Sequence, residues 1–387
     1  MLILLLCFGY SLYVKPNLPP NASISVINHQ AWQQYKVCHK RFNWSAPLGL
    51  TKETLPLFWA QPENHRHFYD TNKTDHCGIV RIVNNGKVML PFPVISNMTH
   101  FINTENPPRI DLYSQPSLSK SFLLILTGHW GHYFQHFFDN IGPQIALALE
   151  VLGFKPFNLP VVADISDLFP SVPKLWSRMG FTTEFHHPSV GNEFSANTLV
   201  MIESCPRIHP DFFKTIRQYL KLPKKVPEKI IWISRKMTNS YYAQRFILNE
   251  NEIIHKLQKS YGKRYFVVYD HSNYTFEQTI ELFASAKVII GSHGGGMYNQ
   301  FFAPAEAVIV EIMPVKKNGL YPDQRNFRDV PSFSHMAVWS NSLLIGQKFW
   351  RYYQITNFSN FYLNGNDFIK FLSQIPEMKI VDSFRLL

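Results

Sequence analysis

The chain has 387 residues, 45% of them hydrophobic and only 17% charged, a balance that excludes disorder and suits one large domain or two ordinary ones. Its 38 basic and 27 acidic residues leave a net charge of +11; with no run of five basic residues, a nucleic-acid-binding tail is excluded, while a phosphorylated or anionic ligand stays open. Low-complexity tracts and repeats are absent, which excludes collagen, coiled-coil and solenoid folds.

Met1–Val14 is an uncharged, almost wholly apolar stretch. It is shorter than the roughly 20 residues of a full membrane span and reads as a signal-peptide core or a short signal anchor. No small-x-small cleavage site follows, which favours the anchor. Sequons at Asn21, Asn43, Asn72, Asn97, Asn273 and Asn357 support a lumenal chain, because six beside an apolar N-terminus outweigh the chance occurrence of any one. Cys38 and Cys77 are candidates for one disulfide, with buried thiols as the alternative. No Cys-x-x-Cys occurs, so a zinc ribbon is excluded.

Residues 15–115, rich in Pro, Asn and aromatics, read as a lumenal stem and irregular region, with short strands at Ile79–Val83 and Val88–Leu90. A first domain over 116–222 begins with the apolar run Phe122–Thr127, a strand buried on both faces. A helix over Tyr133–Leu152 and a strand at Leu159–Ala163 follow. Pro223 and Pro227 mark a linker into a second domain, 223–387. There the pattern predicts strands at Ile230–Ser234, Tyr265–Tyr269, Lys287–Gly291 and Ala307–Ile312, alternating with helices at Asn249–Ser260, Thr275–Ser285 and Gly296–Phe302. Thr275 suits an N-cap. A last helix is expected near Asp367–Gln374. The expected fold is α/β, with two doubly wound layers facing a cleft.

The sharpest motif runs from Val288 to Asn299: a buried strand ends in Ser292 and His293, and Gly294, Gly295 and Gly296 lead into a helix. Glycines allow close backbone approach to a phosphate, and a helix N-terminus offers free N–H groups and partial positive charge. Neither a dinucleotide fingerprint nor a P-loop is present. The alternative is a merely structural turn.

These residues, with their neighbours, resemble glycosyltransferase family 61. The resemblance rests on Ile233-Ser234-Arg235, on Arg245 followed by Asn249-Glu250-Asn251-Glu252, and on Phe276-Glu277-Gln278 ahead of the stretch Ala286–Gly296, with Asn299, Pro304 and Glu311 at family spacing. It is firm over about 225–315. It implies a GT-B architecture of two Rossmann-like domains, with a nucleotide sugar held by the C-terminal one, and inversion without an essential metal. The absence of any Asp-x-Asp in the chain suits that. A metal-free diphosphate needs cations and backbone dipoles. Arg235 at a strand end suits a bidentate grip, and Arg245 is a second candidate; a surface ion pair is the alternative for each. Glu311 suits acceptance of ribose hydroxyls, or is a solvated strand-end charge.

His129, His132, His136 and Asp139 cluster after the first buried strand. An inverting transferase needs a base for the acceptor hydroxyl, and His136 backed by Asp139 supplies one. The family has a His four positions before the acid; here the gap is three. The catalytic assignment therefore lies among His132, His136 and Asp139. The rival reading is a zinc site on a lumenal metallohydrolase, and a non-catalytic, lectin-like module is the non-enzyme alternative. The reading adopted is a metal-independent inverting transferase of the Golgi or endoplasmic reticulum. It moves xylose or N-acetylglucosamine from a UDP-sugar to a glycan or glycoprotein, without a cofactor, and its contacts beyond these are a membrane through the N-terminal anchor and no nucleic acid.

Overall fold

The computed structural model describes residues 22–28, 32–40, 42, 45–59, 76–90, 109–112, 122–126, 131, 133–153, 159–164, 169–186, 192–205, 209–235, 245–322 and 337–379. Met1–Val14 lies outside them, as do the sequons at Asn21, Asn43, Asn72 and Asn97. Among the described residues no helix is long and apolar enough to cross a membrane. They fall into two compact units, Met1–Arg41 with Lys73–Leu220 and Phe42–Asn72 with Lys221–Leu387.

The first unit is built on a mixed sheet. Its strands are β1 (Ala22–Asn28), β2 (Trp32–His39), β3 (His76–Leu90), β4 (Arg109–Leu112), β5 (Phe122–Leu126), β6 (Leu159–Asp164), β7 (Phe181–His186) and β8 (Asn192–Ser204), in the order β1-β2-β3-β8-β5-β6-β7 with β4 on the far half of β3. The β8, β5, β6 and β7 strands run parallel, whereas β1, β2 and β3 add antiparallel. The segment read as stem and irregular region thus supplies four strands, β1 to β4. β3 is one 15-residue strand where two short ones were expected. Cys38 and Cys77 stand opposite each other on β2 and β3 and are joined by a disulfide.

The expected helix over Tyr133–Leu152 is divided. A turn of helix, α2 (Phe134–His136), passes into a π-turn at Phe137–Ile141 and then α3 (Gly142–Leu152). Every residue of α3 is buried, as befits a core helix that is apolar nearly all round. The close approach of α5 (Pro210–Tyr219) fixes Gly142, because a Cβ there would lie 2.6 Å from Ile216. The remaining helix, α4 (Ser171–Met179), buries Leu175 and Trp176.

The second unit carries an all-parallel sheet of β9 (Lys229–Ile233), β10 (Phe266–Tyr269), β11 (Ala286–Ser292), β12 (Val308–Val315) and β13 (Lys348–Ile355), in the order β10-β9-β11-β12-β13. The central strands are buried almost end to end, which is why they read as continuous apolar runs. Helices α6 (Glu250–Tyr261), α7 (Phe276–Ala284) and α9 (Gly365–Leu372) bury one face each; Ile253, Leu257, Phe368 and Leu372 join Ile230, Trp232, Val288 and Val310 in one core. Thr275 caps α7 in a full capping box with Gln278, a reciprocal satisfaction of two free N–H groups. Two further helices, α8 (Ala337–Ile345) and α10 (Pro376–Lys379), complete the described part, together with α1 (Leu55–Trp59) from the early segment. The expected helix at Gly296–Phe302 is a 3-10 helix over Gly295–Phe302.

Candidate donor and base sites

Numbered from its own first strand, the parallel sheet has the order 2-1-3-4-5, and its connections reverse direction between β9 and β11. In such sheets ligands bind beyond the carboxyl ends of the strands at that reversal. Ser234 and Arg235 follow β9 there, and Ser292, His293 and the three glycines end β11.

The two strand ends are tied together directly. Arg235 Nη1 donates to the His293 carbonyl oxygen at 2.9 Å. Gly294 has φ +152°, and a Cβ on it would lie 1.7 Å from Arg235 Nη1. Only a glycine fits under this guanidinium. Gly296 closes on Ile233, whose Cγ2 would be 3.0 Å from an added Cβ. Asn299, buried, donates to the Gly296 carbonyl at 2.9 Å and so pins the turn rather than facing outward. Ser292 is buried, and its hydroxyl has no hydrogen-bond partner.

Glu250, at the start of α6, braces the end of β9. Its carboxylate accepts from Trp232 Nε1 at 2.9 Å, from the Ser234 hydroxyl at 2.7 Å and from the Arg235 backbone N–H at 3.4 Å. Asn249 pairs with the backbone of Leu363, its Oδ1 accepting from the N–H at 2.9 Å and its Nδ2 donating to the carbonyl at 3.0 Å. Glu250 is therefore scaffolding for Arg235, whereas Asn249 ties the start of α6 to Leu363.

Burial, and then the neighbouring charge of Arg245, push the Arg235 guanidinium down to about 10. It remains a cation at neutral pH, but one placed close to a like charge. Arg245 takes a left-handed backbone with φ +69°, and its guanidinium lies 5.7 Å from the Tyr321 ring. A bulky residue at positive φ is a strained arrangement of the kind found at ligand sites.

His293 Nδ1 donates to Glu311 Oε1, and Glu311 Oε2 accepts from Arg351 Nε at 2.9 Å and also from Arg351 Nη2. Glu311 is 0% exposed. This corrects the expectation that Glu311 meets ribose hydroxyls: both of its oxygens are taken, and its side chain positions His293. Arg351 was missed, because nothing in its local sequence links β13 to a residue forty positions earlier on β12. Its guanidinium packs 5.2 Å from the Phe58 ring of the early segment. Burial, followed by the charges of Arg245, Arg351 and Arg235, holds His293 well below the usual imidazole range, so its ring is neutral.

In the first unit, His136 closes α2 and Asp139 sits in the π-turn. His136 Nδ1 donates to Asp139 Oδ1 at 3.1 Å, and His136 Nε2 accepts from Gln135 Nε2 at 3.1 Å. Both side chains are about one-fifth exposed, at 21% and 24%. The bond to Asp139 fixes the tautomer and leaves the Nε2 lone pair to the bond from Gln135, and π-turns recur at functional sites. His129 and His132 lie outside the described residues, so of the three histidines only His136 has a described place. Asn273 and Asn357 are exposed.

The second unit is thus an α/β layer with an arginine- and glycine-lined strand reversal, and the first presents a histidine–aspartate pair. The model of the family Glycosyltransferase 61 matches residues 134–310, from α2 into β12. The matched region includes His136, Asp139, Arg235, Arg245 and the glycine turn. No curated protein matches the chain.

Proposed function

We propose that this chain is an inverting glycosyltransferase of the GT-B class that uses a UDP-sugar and needs no metal for the reaction. The observation that carries the reading is the pair of arginines at the β9–β11 reversal, within a region matching a glycosyltransferase family. Burial, and then the neighbouring charge of Arg245, depress the protonated form of Arg235, and a diphosphate relieves that repulsion. The guanidinium of Arg235, held by the His293 carbonyl and by Glu250 on its backbone, is preorganised for the charge that develops on the leaving diphosphate. The N–H groups at Gly295 and Gly296 add backbone dipoles to the same anion.

His136 is the proposed base. Asp139 orients its ring and stabilises the imidazolium that forms as Nε2 takes the acceptor hydroxyl proton; Gln135 gives up its bond to Nε2 when the acceptor arrives. Of the candidates, His136 is favoured over Asp139 because the carboxylate is occupied by the ring. The sugar is xylose or N-acetylglucosamine, and the acceptor a glycan or glycoprotein. We assign the enzyme to the lumen of the Golgi or endoplasmic reticulum, on the strength of the Cys38–Cys77 disulfide, the exposed sequons at Asn273 and Asn357, and the apolar Met1–Val14, which suits an anchor.

The test is His136→Ala assayed beside UDP binding. Transfer should fall to background while UDP affinity stays within twofold, since His136 belongs to the other compact unit. Retained transfer would remove His136 as the base; lost UDP binding would show a general defect.

A further inference from the structure

His39, Glu150, His209 and Asp211 come together in the first unit, outside the residues used above. His39 ends β2, Glu150 lies in α3, and His209 and Asp211 open α5. His39 Nε2 faces Glu150 Oε2 at 3.0 Å, and its Nδ1 faces Asp211 Oδ2 at 3.2 Å. His209 Nε2 donates to the Lys40 carbonyl at 2.8 Å, and its Nδ1 lies 3.4 Å from the same Asp211 Oδ2. The Asp211 backbone N–H also reaches His209 Nδ1, at a long 3.3 Å.

The Lys40 carbonyl only accepts, so His209 Nε2 carries the hydrogen and its Nδ1 presents a lone pair. In the tautomer of His39 that donates from Nε2 to Glu150, its Nδ1 also presents a lone pair, on the side of Asp211. Two imidazole lone pairs and a carboxylate oxygen then converge, all within 4.8 Å of one another. A cation among them would meet three donor atoms and the Asp211 charge at once, in exchange for the long bond from the Asp211 N–H to His209 Nδ1. Tetrahedral zinc with ligand bonds of about 2.0–2.1 Å has ligand–ligand edges of about 3.3–3.4 Å. The 3.2 and 3.4 Å separations match those edges. Each ring also has its far N–H on a carboxylate or a backbone carbonyl, the outer arrangement that metal-bound histidines adopt. His39 and Glu150 are almost fully buried, Glu150 Oε1 has no hydrogen-bond partner, and Asp211 is one-quarter exposed. Buried Glu150 beside Asp211 calls for positive charge, and the exposure at Asp211 leaves a way in for the ion.

We infer that His39 Nδ1, His209 Nδ1 and Asp211 Oδ2 bind one Zn²⁺, with Glu150 and the Lys40 carbonyl orienting the two rings. The ion ties the end of β2, next to the Cys38–Cys77 disulfide, to the start of α5. It lies outside the donor site and takes no part in transfer. The competing arrangement is a proton in place of the metal: a doubly protonated His39 bridging Glu150 and Asp211, with His209 serving only as the cap of α5.

The test uses the whole chain, purified without metal resin, then stripped with dipicolinate and titrated with Zn²⁺ alone. One zinc per chain on purification, 1:1 uptake after stripping and a rise of several degrees in Tm are expected. Glu150→Gln should weaken zinc binding by about 10–100-fold, Asp211→Asn by at least as much, and His136→Ala should leave it unchanged. A stripped wild type that neither takes up zinc nor gains in Tm would overturn the site in favour of the protonated bridge, and zinc lost in His136→Ala would move it elsewhere. Should the substitutions fail to fold, the wild-type titration still decides.

Discussion

Arg235 lies across Gly294 and donates to the His293 carbonyl at 2.9 Å, so one side chain spans the two strand ends between which the sheet reverses. The contact makes Gly294 an exacting position. Gly294→Ala puts a methyl into the guanidinium at a backbone angle that L residues avoid. The expected result is a folded protein destabilised by about 1–3 kcal/mol, with UDP affinity reduced at least tenfold. Normal affinity would show that Arg235 does not need this seat.

Arg235→Ala is expected to fold and to lose about 10²–10³ in kcat/KM, the usual effect of removing one preorganised donor to a developing charge. Arg235→Lys should be nearly as poor, since an ammonium replaces neither the fork nor the bond to the His293 carbonyl at once. Steady-state kinetics on the two variants checks this, and near-normal rates in the lysine variant would make Arg235 peripheral.

Glu311 and Arg351 form a buried ion pair, and removing one partner leaves a charge without compensation. Glu311→Ala should therefore cost about 3–5 kcal/mol in chemical denaturation. The double variant Glu311→Leu/Arg351→Met should recover much of that loss. A ribose-binding Glu311 would behave differently, raising KM with little change in stability.

His293 is held neutral, and the consequence for pH follows from its two states. The unfolded chain titrates this ring near 6.5, while the folded chain does so well below. Above pH 7 both are neutral and the group contributes nothing. As the pH falls below about 6.5, only the unfolded chain takes up the proton, so stability drops by up to about 1.4 kcal/mol per pH unit. Calorimetry between pH 7 and 5 should show a steeper fall for wild type than for His293→Gln. Equal slopes would mean that the folded ring also protonates.

The second unit was largely legible in the sequence, because β9, β11 and β12 are continuous apolar runs and Thr275 with Gln278 spells a capping box. His136 and Asp139 were also visible, since three residues of spacing suffice to pair them on a helical turn. Of the N-terminal strands only β3 was read, as two pieces at Ile79–Val83 and Val88–Leu90; β1, β2 and β4 were not. β1 alternates apolar and polar residues on a largely exposed edge, and its neighbours are separated by segments rich in Pro and Asn. The Arg351–Glu311–His293 chain and the His39–Glu150–Asp211–His209 group escaped for one physical reason. Apart from His209 and Asp211, which share a helix start, their partners lie 18 to 172 positions apart, and only the tertiary fold brings them together. Glu311 was misread because its place at a strand's carboxyl end suggested an open position, whereas β13 covers it.

The most direct measurement is a calorimetric titration of the wild-type protein with UDP in buffer free of Mg²⁺ and Mn²⁺, repeated with Mn²⁺ added and with GDP in place of UDP. A metal-independent UDP-sugar transferase should bind UDP at 1:1 with the same affinity in both buffers and bind GDP at least tenfold more weakly. No heat from UDP, or binding that appears only when Mn²⁺ is present, would contradict the donor site built by Arg235, Arg245 and the glycine turn.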